Sequence, residues 1–310
     1  MAWLSQKLAL IERTMAHDVG RGSEALARYS RGGLEAAINS IISTPHPRVV
    51  ILTGFFIPAA EPPAAETDGP IGAIQIAAAI NALGGSVRLL TDEPCESAIR
   101  TSLAETSVPA RIDVAPLPAR ASDSAYQQWE TSLFSQYNEG GAAITHFISI
   151  ERCGPNFAGR PCNMRGDDLS AYTAPLHQIY ESGSWKKIAI GDGGNEIGMG
   201  CIPSDAISRI VKYGEKIRCV VGCDCLLIGG TSNWAAAGLV AGLGLASPAV
   251  TAQAIDLLDP EWSRMTLQHL VFEGPAVDGM SRVQNVSVDG LEWEKYASVL
   301  SELRSVAMEP

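Results

Sequence analysis

The sequence predicts an α/β protein with a mostly parallel β-sheet covered by helices on both faces. Three observations predict it. Short apolar runs rich in β-branched residues recur along the chain, each stopping at Gly or a polar residue. Segments with apolar residues at helical spacing separate these runs, so strands and helices alternate from one end to the other. The runs are apolar at consecutive positions, which marks strands buried on both faces. Right-handed crossovers then give a Rossmann-like three-layer sandwich, read as a single domain over residues 1–310 with helical embellishments at both ends.

The elements follow in order. Residues 4–15 and 24–42 carry helical periodicity, and Pro45 and Pro47 end the second segment. The run 48–56 (RVVILTGFF) is a strand that stops at Gly54, and 58–68 is a loop. Pro70 suits the first position of a helix reaching residue 83, closed by Gly84 and Gly85. Strands are expected at 86–92, 111–117, 144–151, 186–192 and 224–230. Helices are expected at 95–105, 124–137, 167–180 (interrupted at Pro175), 204–213, 233–243, 260–270 and 291–306. Residues 152–166 show no period and read as a loop.

Composition narrows the function. At 310 residues, 46% hydrophobic and 18% charged, the chain can bury an ample core. The net charge of −11 and the lack of a Lys/Arg cluster exclude a phosphate-tracking surface, so no nucleic-acid partner is expected. An acidic ligand would need a local cation: an Arg, a helix N-terminus or a metal. The seven cysteines are odd in number and irregularly spaced, which suits small core residues in a reducing compartment rather than a disulfide framework. The first 22 residues lack a signal-peptide pattern, and Glu12 and Asp18 argue against a transit peptide. The most apolar stretch, 239–250, is too short for a membrane span. A cytoplasmic location, no membrane partner and a small acidic metabolite are therefore expected; self-association is left open.

In an open parallel sheet, ligands bind beyond the carboxyl ends of the strands. Four places there carry chemistry. In Glu66-Thr67-Asp68-Gly69-Pro70, Glu66 and Asp68 can offer two carboxylates to one cation, while Gly69 and the helix start favour an anion. A capping Asp with a solvated Glu is the plainer alternative. Glu151 and Arg152 emerge where a strand meets a long irregular loop, with Asn163 and Arg165 further along it. A local ion pair is the alternative there. The decapeptide Gly191-Asp192-Gly193-Gly194-Asn195-Glu196-Ile197-Gly198-Met199-Gly200 is the strongest signal, with hard oxygen donors suited to Mg²⁺ or Mn²⁺. It matches neither a dinucleotide fingerprint nor a Walker A loop. Thr231, Ser232 and Asn233 open a helix after a strand, where hydroxyls and N–H groups can hold an anion or simply cap. No histidine shows HExxH spacing, and no GxSxG elbow is present.

IERTMAHDVGRG, ILTGFF, ETDGPIGA, LLTD, IERCGPN, NMRG and GDGGNEIGMG occur in the order seen in the D-glutamate cyclase family. The chain resembles the cyclase domain of that family in a single-domain form, most closely from about Ile11 to the Trp234 helix. The resemblance implies conversion of D-glutamate to 5-oxo-D-proline and water, with a divalent metal, Mn²⁺ or Mg²⁺. It carries over Glu66, Asp68, Asp192 and Glu196 as metal or substrate residues. Glu151 or Glu196 is then the candidate proton carrier. Arg152 or Arg165 is the candidate anchor for the substrate's α-carboxylate, with Asn163, Gly69, Thr231, Ser232 and Asn233 as further substrate contacts. Two other readings suit the same residues: a metal-dependent phosphatase or hydrolase, and a non-catalytic anion- or nucleotide-binding module.

Overall fold

The computed structural model describes residues 2–118, 123–140 and 143–309. Helices α1 (Ala2–Met15), α2 (Ser23–Ala27) and α3 (Gly33–Ile42) precede strand β1 (Arg48–Thr53). A two-residue hairpin, β2 (Phe56–Ile57) and β3 (Ala64–Ala65), leads into α4 (Pro70–Ala82). Then come β4 (Ser86–Asp92), α5 (Glu96–Ala104), β5 (Arg111–Ala115), α6 (Asp123–Asn138) and β6 (His146–Ile150). The second half holds α7 (His177–Ser182), β7 (Lys186–Gly191), α8 (Ser204–Ile210), α9 (Gly214–Ile217) and β8 (Cys225–Ile228). Helices α10 (Ser232–Ala246), α11 (Pro248–Leu257), α12 (Pro260–Phe272) and α13 (Trp293–Met308) close the chain.

Six strands form one sheet in the order β5-β4-β1-β6-β7-β8, every neighbouring pair parallel. The three-layer α/β architecture is as the sequence predicts. The period of two along each strand sorts its side chains between two cores. Val49 and Ile51 of β1 join the core built with α1, α3, α4, α5 and α10–α13. Val50 and Leu52 join the opposite core with α6, α7 and α8.

Helix α10 is buried from Ser232 to Gly244 and lies at the centre of its layer. Its small residues are a packing requirement: a Cβ at Gly242 would lie 2.3 Å from Ile38 Cδ1. Gly33 plays the same part in α3, where a Cβ would meet the Leu226 carbonyl at 2.1 Å.

Three local expectations are corrected. The helix predicted over 24–42 is two helices, because Gly32 takes φ 80° and redirects the chain before α3. The predicted helix 167–180 is mostly irregular. Asp168 bridges to Cys162 and accepts from Ser170, and only His177–Ser182 is helical. The helix predicted over 204–213 ends at Ile210. Helix α11 was not anticipated, although Ser247-Pro248 is a recognisable start.

The strand order reverses between β1 and β6, so the crevice at their carboxyl ends is where a doubly wound sheet offers a ligand site.

Candidate active site

A cavity of about 490 Å³ opens at this crevice. Glu66, Glu151, Asp192, Glu196 and Asp289 line it together with Arg21. Asp68 is buried and outside the lining, yet one of its oxygens lies within 4.8 Å of oxygens of both Asp192 and Asp289. Glu151, Asp192 and Glu196 form a second triplet at the same spacing. The acidic residues taken from distant parts of the sequence therefore converge.

The loop after β7 is shaped by Glu196. Its Oε1 accepts the N–H of Asp192 (3.1 Å) and Gly193 (2.7 Å), and its Oε2 accepts that of Gly194 (2.7 Å). Gly194 sits at φ 99°, a conformation that a side chain would strain. Gly193 is tight for a different reason, since a Cβ there would lie 2.7 Å from Met164 Sδ. The glycines and Glu196 thus hold Asp192 at the strand end.

Asp68 and Asn233 cap each other's helices. Asp68 accepts the N–H groups of Ser232 and Asn233 at the start of α10, both at 2.8 Å. Asn233 Oδ1 accepts those of Gly69 (3.0 Å) and Gly72 (2.9 Å) at the start of α4. Ser232 Oγ donates to Glu151 Oε2 at 2.5 Å, and Thr231 Oγ1 accepts the Trp234 N–H. Gly69, Thr231, Ser232 and Asn233, predicted as substrate contacts, are buried and turned toward the protein, outside the cavity lining. They fix the carboxylates rather than face the cavity.

Arg152 is also turned away. Its guanidinium donates to Asp92 Oδ2 (2.5 Å) and to the carbonyls of Gly54 (2.9 Å) and Ala174 (2.8 Å), and it is 2% exposed. The residue predicted to anchor substrate ties strand ends together instead, because three acceptors surround it behind the cavity. Asn163 and Arg165 do line the cavity. Asn163 Oδ1 accepts the N–H groups of Arg165 and Asp167, so it shapes the turn that presents Arg165. Arg165 has no ion-pair partner among the described residues, and neither has Arg282 at the same cavity.

Three site residues escaped the sequence reading: Arg282, Arg21 and Asp289. Arg21 donates to Asp192 Oδ2 (2.7 Å), to both oxygens of Asp289 (3.0 and 2.6 Å) and to the Gly230 carbonyl (3.0 Å). Asp18 holds the turn before α2 by accepting the N–H of Gly20, Arg21 and Gly22. Asp289 is brought in by the tail, where Val277 pairs with Ala65 and Thr67 and Asp278 ties the 278–290 loop. Four non-glycine residues lining the cavity hold left-handed backbone: Glu151 (φ 44°), Tyr213 (φ 61°), Arg282 (φ 63°) and Asp289 (φ 56°). Such conformations cost about 1–3 kcal/mol each and persist where the surroundings over-determine them.

Electrostatics follow from burial. The Glu66 carboxyl is pushed well above its usual range by burial, then by Asp289 and Asp68. Burial, with Asp192 and Glu196 next, does the same to Glu151. Asp192 is raised mainly by burial, against the pull of Arg21. Asp68 is pushed up to about 8 by burial and Asp289, although the N–H groups of Asn233 and Ser232 oppose this. Six carboxyl groups gather here, and Arg21 is the guanidinium that pairs with them among the described residues, so they are under-compensated. The donor set is all oxygen, and Glu66 Oε1 is buried without a hydrogen-bond partner. These features fit a hard divalent cation.

No helix among the described residues is long and apolar enough to cross a membrane. The family described as D-glutamate cyclase-like, C-terminal, matches residues 11–304. The chain is also similar to the protein named D-glutamate cyclase, mitochondrial, of Homo sapiens: 28% identical over 239 residues, covering 74% of this chain and 37% of that protein. The chain thus spans little more than a third of that relative's length. With the match running through all eight strands of the described residues and the residues of the cavity, the chain belongs to the D-glutamate cyclase-like, C-terminal family.

Proposed function

We propose that the protein cyclises D-glutamate to 5-oxo-D-proline with loss of water, assisted by Mn²⁺ or Mg²⁺. One observation carries this reading: a cluster of carboxylates lines the same cavity as Arg165 and Arg282, two arginines without an ion-pair partner among the described residues. The substrate has the complementary charges, an ammonium group and two carboxylates.

In the reaction the ammonium loses two protons and its nitrogen attacks the γ-carboxyl carbon. A C–N bond forms, a C–O bond breaks, and the oxygen leaves with the two protons as water. Arg165 and Arg282 grip the α-carboxylate by charge-assisted hydrogen bonds. Folding the substrate so that nitrogen and carbon meet is worth about 7–11 kcal/mol in well-oriented cases. Glu151, its proton affinity raised by burial, takes an ammonium proton and returns it to the departing oxygen. Glu196 keeps the 192–194 turn closed, and Arg21 orients Asp192 and Asp289. Asp192, common to both triplets, would hold the cation with Asp68 and Asp289 or with Glu151 and Glu196. When bound, the cation supplies Lewis-acid polarisation of a carboxylate oxygen, on the order of several kcal/mol.

The test is incubation with D- and L-glutamate, with Mn²⁺, Mg²⁺ or a chelator, and mass spectrometry for oxoproline. Oxoproline from D-glutamate, lost on chelation, is expected. None from either enantiomer with either metal, or release of phosphate from phosphorylated metabolites instead, would discard the reading. Arg165→Ala should raise KM about 10- to 100-fold with kcat nearly kept, the size of one charged hydrogen bond.

A further inference from the structure

The sequence suggests seven core cysteines, but Cys201 is exposed and Cys223 half-buried. Their sulfurs lie 3.7 Å apart. Cys201 ends the loop that carries Asp192 and Glu196; Cys223 lies just before β8. The two segments are already zipped together, since the N–H groups of Gly198 and Gly200 both donate to the Val221 carbonyl.

We propose that Cys201 and Cys223 are a modification site, a dithiol that hydrogen peroxide converts reversibly into a disulfide. Three features carry it. A disulfide needs the sulfurs at about 2.0 Å, so only a small closure separates the present geometry from the bond. The Cys223 N–H points at Cys201 Sγ (3.1 Å), a donor that favours the thiolate there. A cavity of about 330 Å³, lined by Cys201 and Arg218, gives a small oxidant access to that sulfur.

The roles divide accordingly. The hydrogen bonds from the Cys223 thiol and N–H pull Cys201 down to about 6, against burial and Asp224, while the same contact pushes Cys223 up. The Cys201 thiolate attacks peroxide: an S–O bond forms, the O–O bond breaks and hydroxide leaves. Cys223 then attacks the sulfenic sulfur. The S–S bond forms, the S–O bond breaks, and hydroxide departs as water with the Cys223 proton. The two sulfurs lose two electrons, which the peroxide gains. Cys219 borders the same cavity but stays out of the exchange, because burial pushes its thiol up to about 12.

The test treats the intact protein with peroxide, alkylates the remaining thiols and maps peptides by mass. Alkylation of Cys201 and Cys223 should fall together to under about a tenth, with a cross-linked peptide pair lacking two hydrogens. Dithiothreitol should restore both thiols. In Cys223→Ser, Cys201 should instead be trapped by dimedone as the sulfenic acid. Full alkylation of both cysteines after peroxide, a Cys201–Cys219 link, or sulfinic acid at Cys201 beside a free Cys223 would each overturn the proposal. The readout is mass alone, so it stands or falls independently of any cyclase activity.

Discussion

Two guanidinium–carboxylate assemblies sit at the same edge of the sheet and differ in what surrounds them. Arg152 and Asp92, 2% and 0% exposed as side chains, lie sealed behind the cavity, and the guanidinium has further bonds to two carbonyls. Arg21 lies in the cavity wall against Asp192 and Asp289, with 15% of its side chain exposed and other carboxylates close by. In the first assembly one charge meets one charge, and the chain closes around the pair. In the second, carboxylates outnumber the cation, and the surplus faces a space. Surplus charge beside a cavity suits ligand binding, whereas balanced charge without a cavity suits a framework role.

The largest expected effect separates the two directly. Arg152→Met should lower stability by about 3–5 kcal/mol, because Asp92 is left buried and uncompensated. Arg21→Met should lower it by less, since the cavity admits water and burial raises the proton affinity of its partner Asp192. Urea unfolding of both variants at pH 7 ranks them. Equal losses would erase the distinction.

Next in size is the site itself. Asp192→Asn should cut metal-dependent turnover roughly 100-fold or more, as for loss of a group holding the metal. Its unfolding midpoint without metal should not fall below wild type, because the substitution removes one of several like charges whose ionisation burial opposes. Wild type should gain about 2.7 kcal/mol at Mn²⁺ a hundredfold above its Kd, and the variant should lose that gain. Unchanged turnover and an unchanged metal shift would discard the site.

The same contrast explains what could be read from sequence. Strand runs such as VVIL and CLLI and the oxygen donors at strand ends were legible, because burial on two faces and the parallel-sheet rule are local signals. Arg152 looked functional for the same reason, and only the three-dimensional position of Asp92 and Ala174 shows that it faces inward. Arg21 and Asp289 follow no strand. Each is placed by an aspartate-centred turn, with Asp18 for one and Asp278 for the other, and by contacts spanning 171 to 268 positions in the chain. The turn signals, V-G-R-G and V-D-G, were visible, but the convergence they serve was not.

The smallest effect should come from acid, and it should come from the framework. His146, at the far end of β6, is 1% exposed and bonded to Ser40 and Thr145. Burial chiefly, with Lys186 adding, lowers its pKa from 6.5 to about 4. His177 is lowered to about 4 by burial and by the charge of Arg152. Both are neutral in the fold and take up a proton more readily when unfolded. Their contribution is therefore complete above about 6.5 and is lost as pH falls from there toward 4, about 1 kcal/mol each at pH 5.5. His146→Gln should flatten roughly half of that slope in thermal melts between pH 6.5 and 4. Arg152→Met should flatten it to a smaller extent, because burial is the larger cause of the low His177 pKa and the Arg152 charge the lesser, whereas Arg21→Met should leave this acid limb unchanged. An acid limb that responded to Arg21 and not to Arg152 would mean that the two assemblies had been assigned the wrong way round.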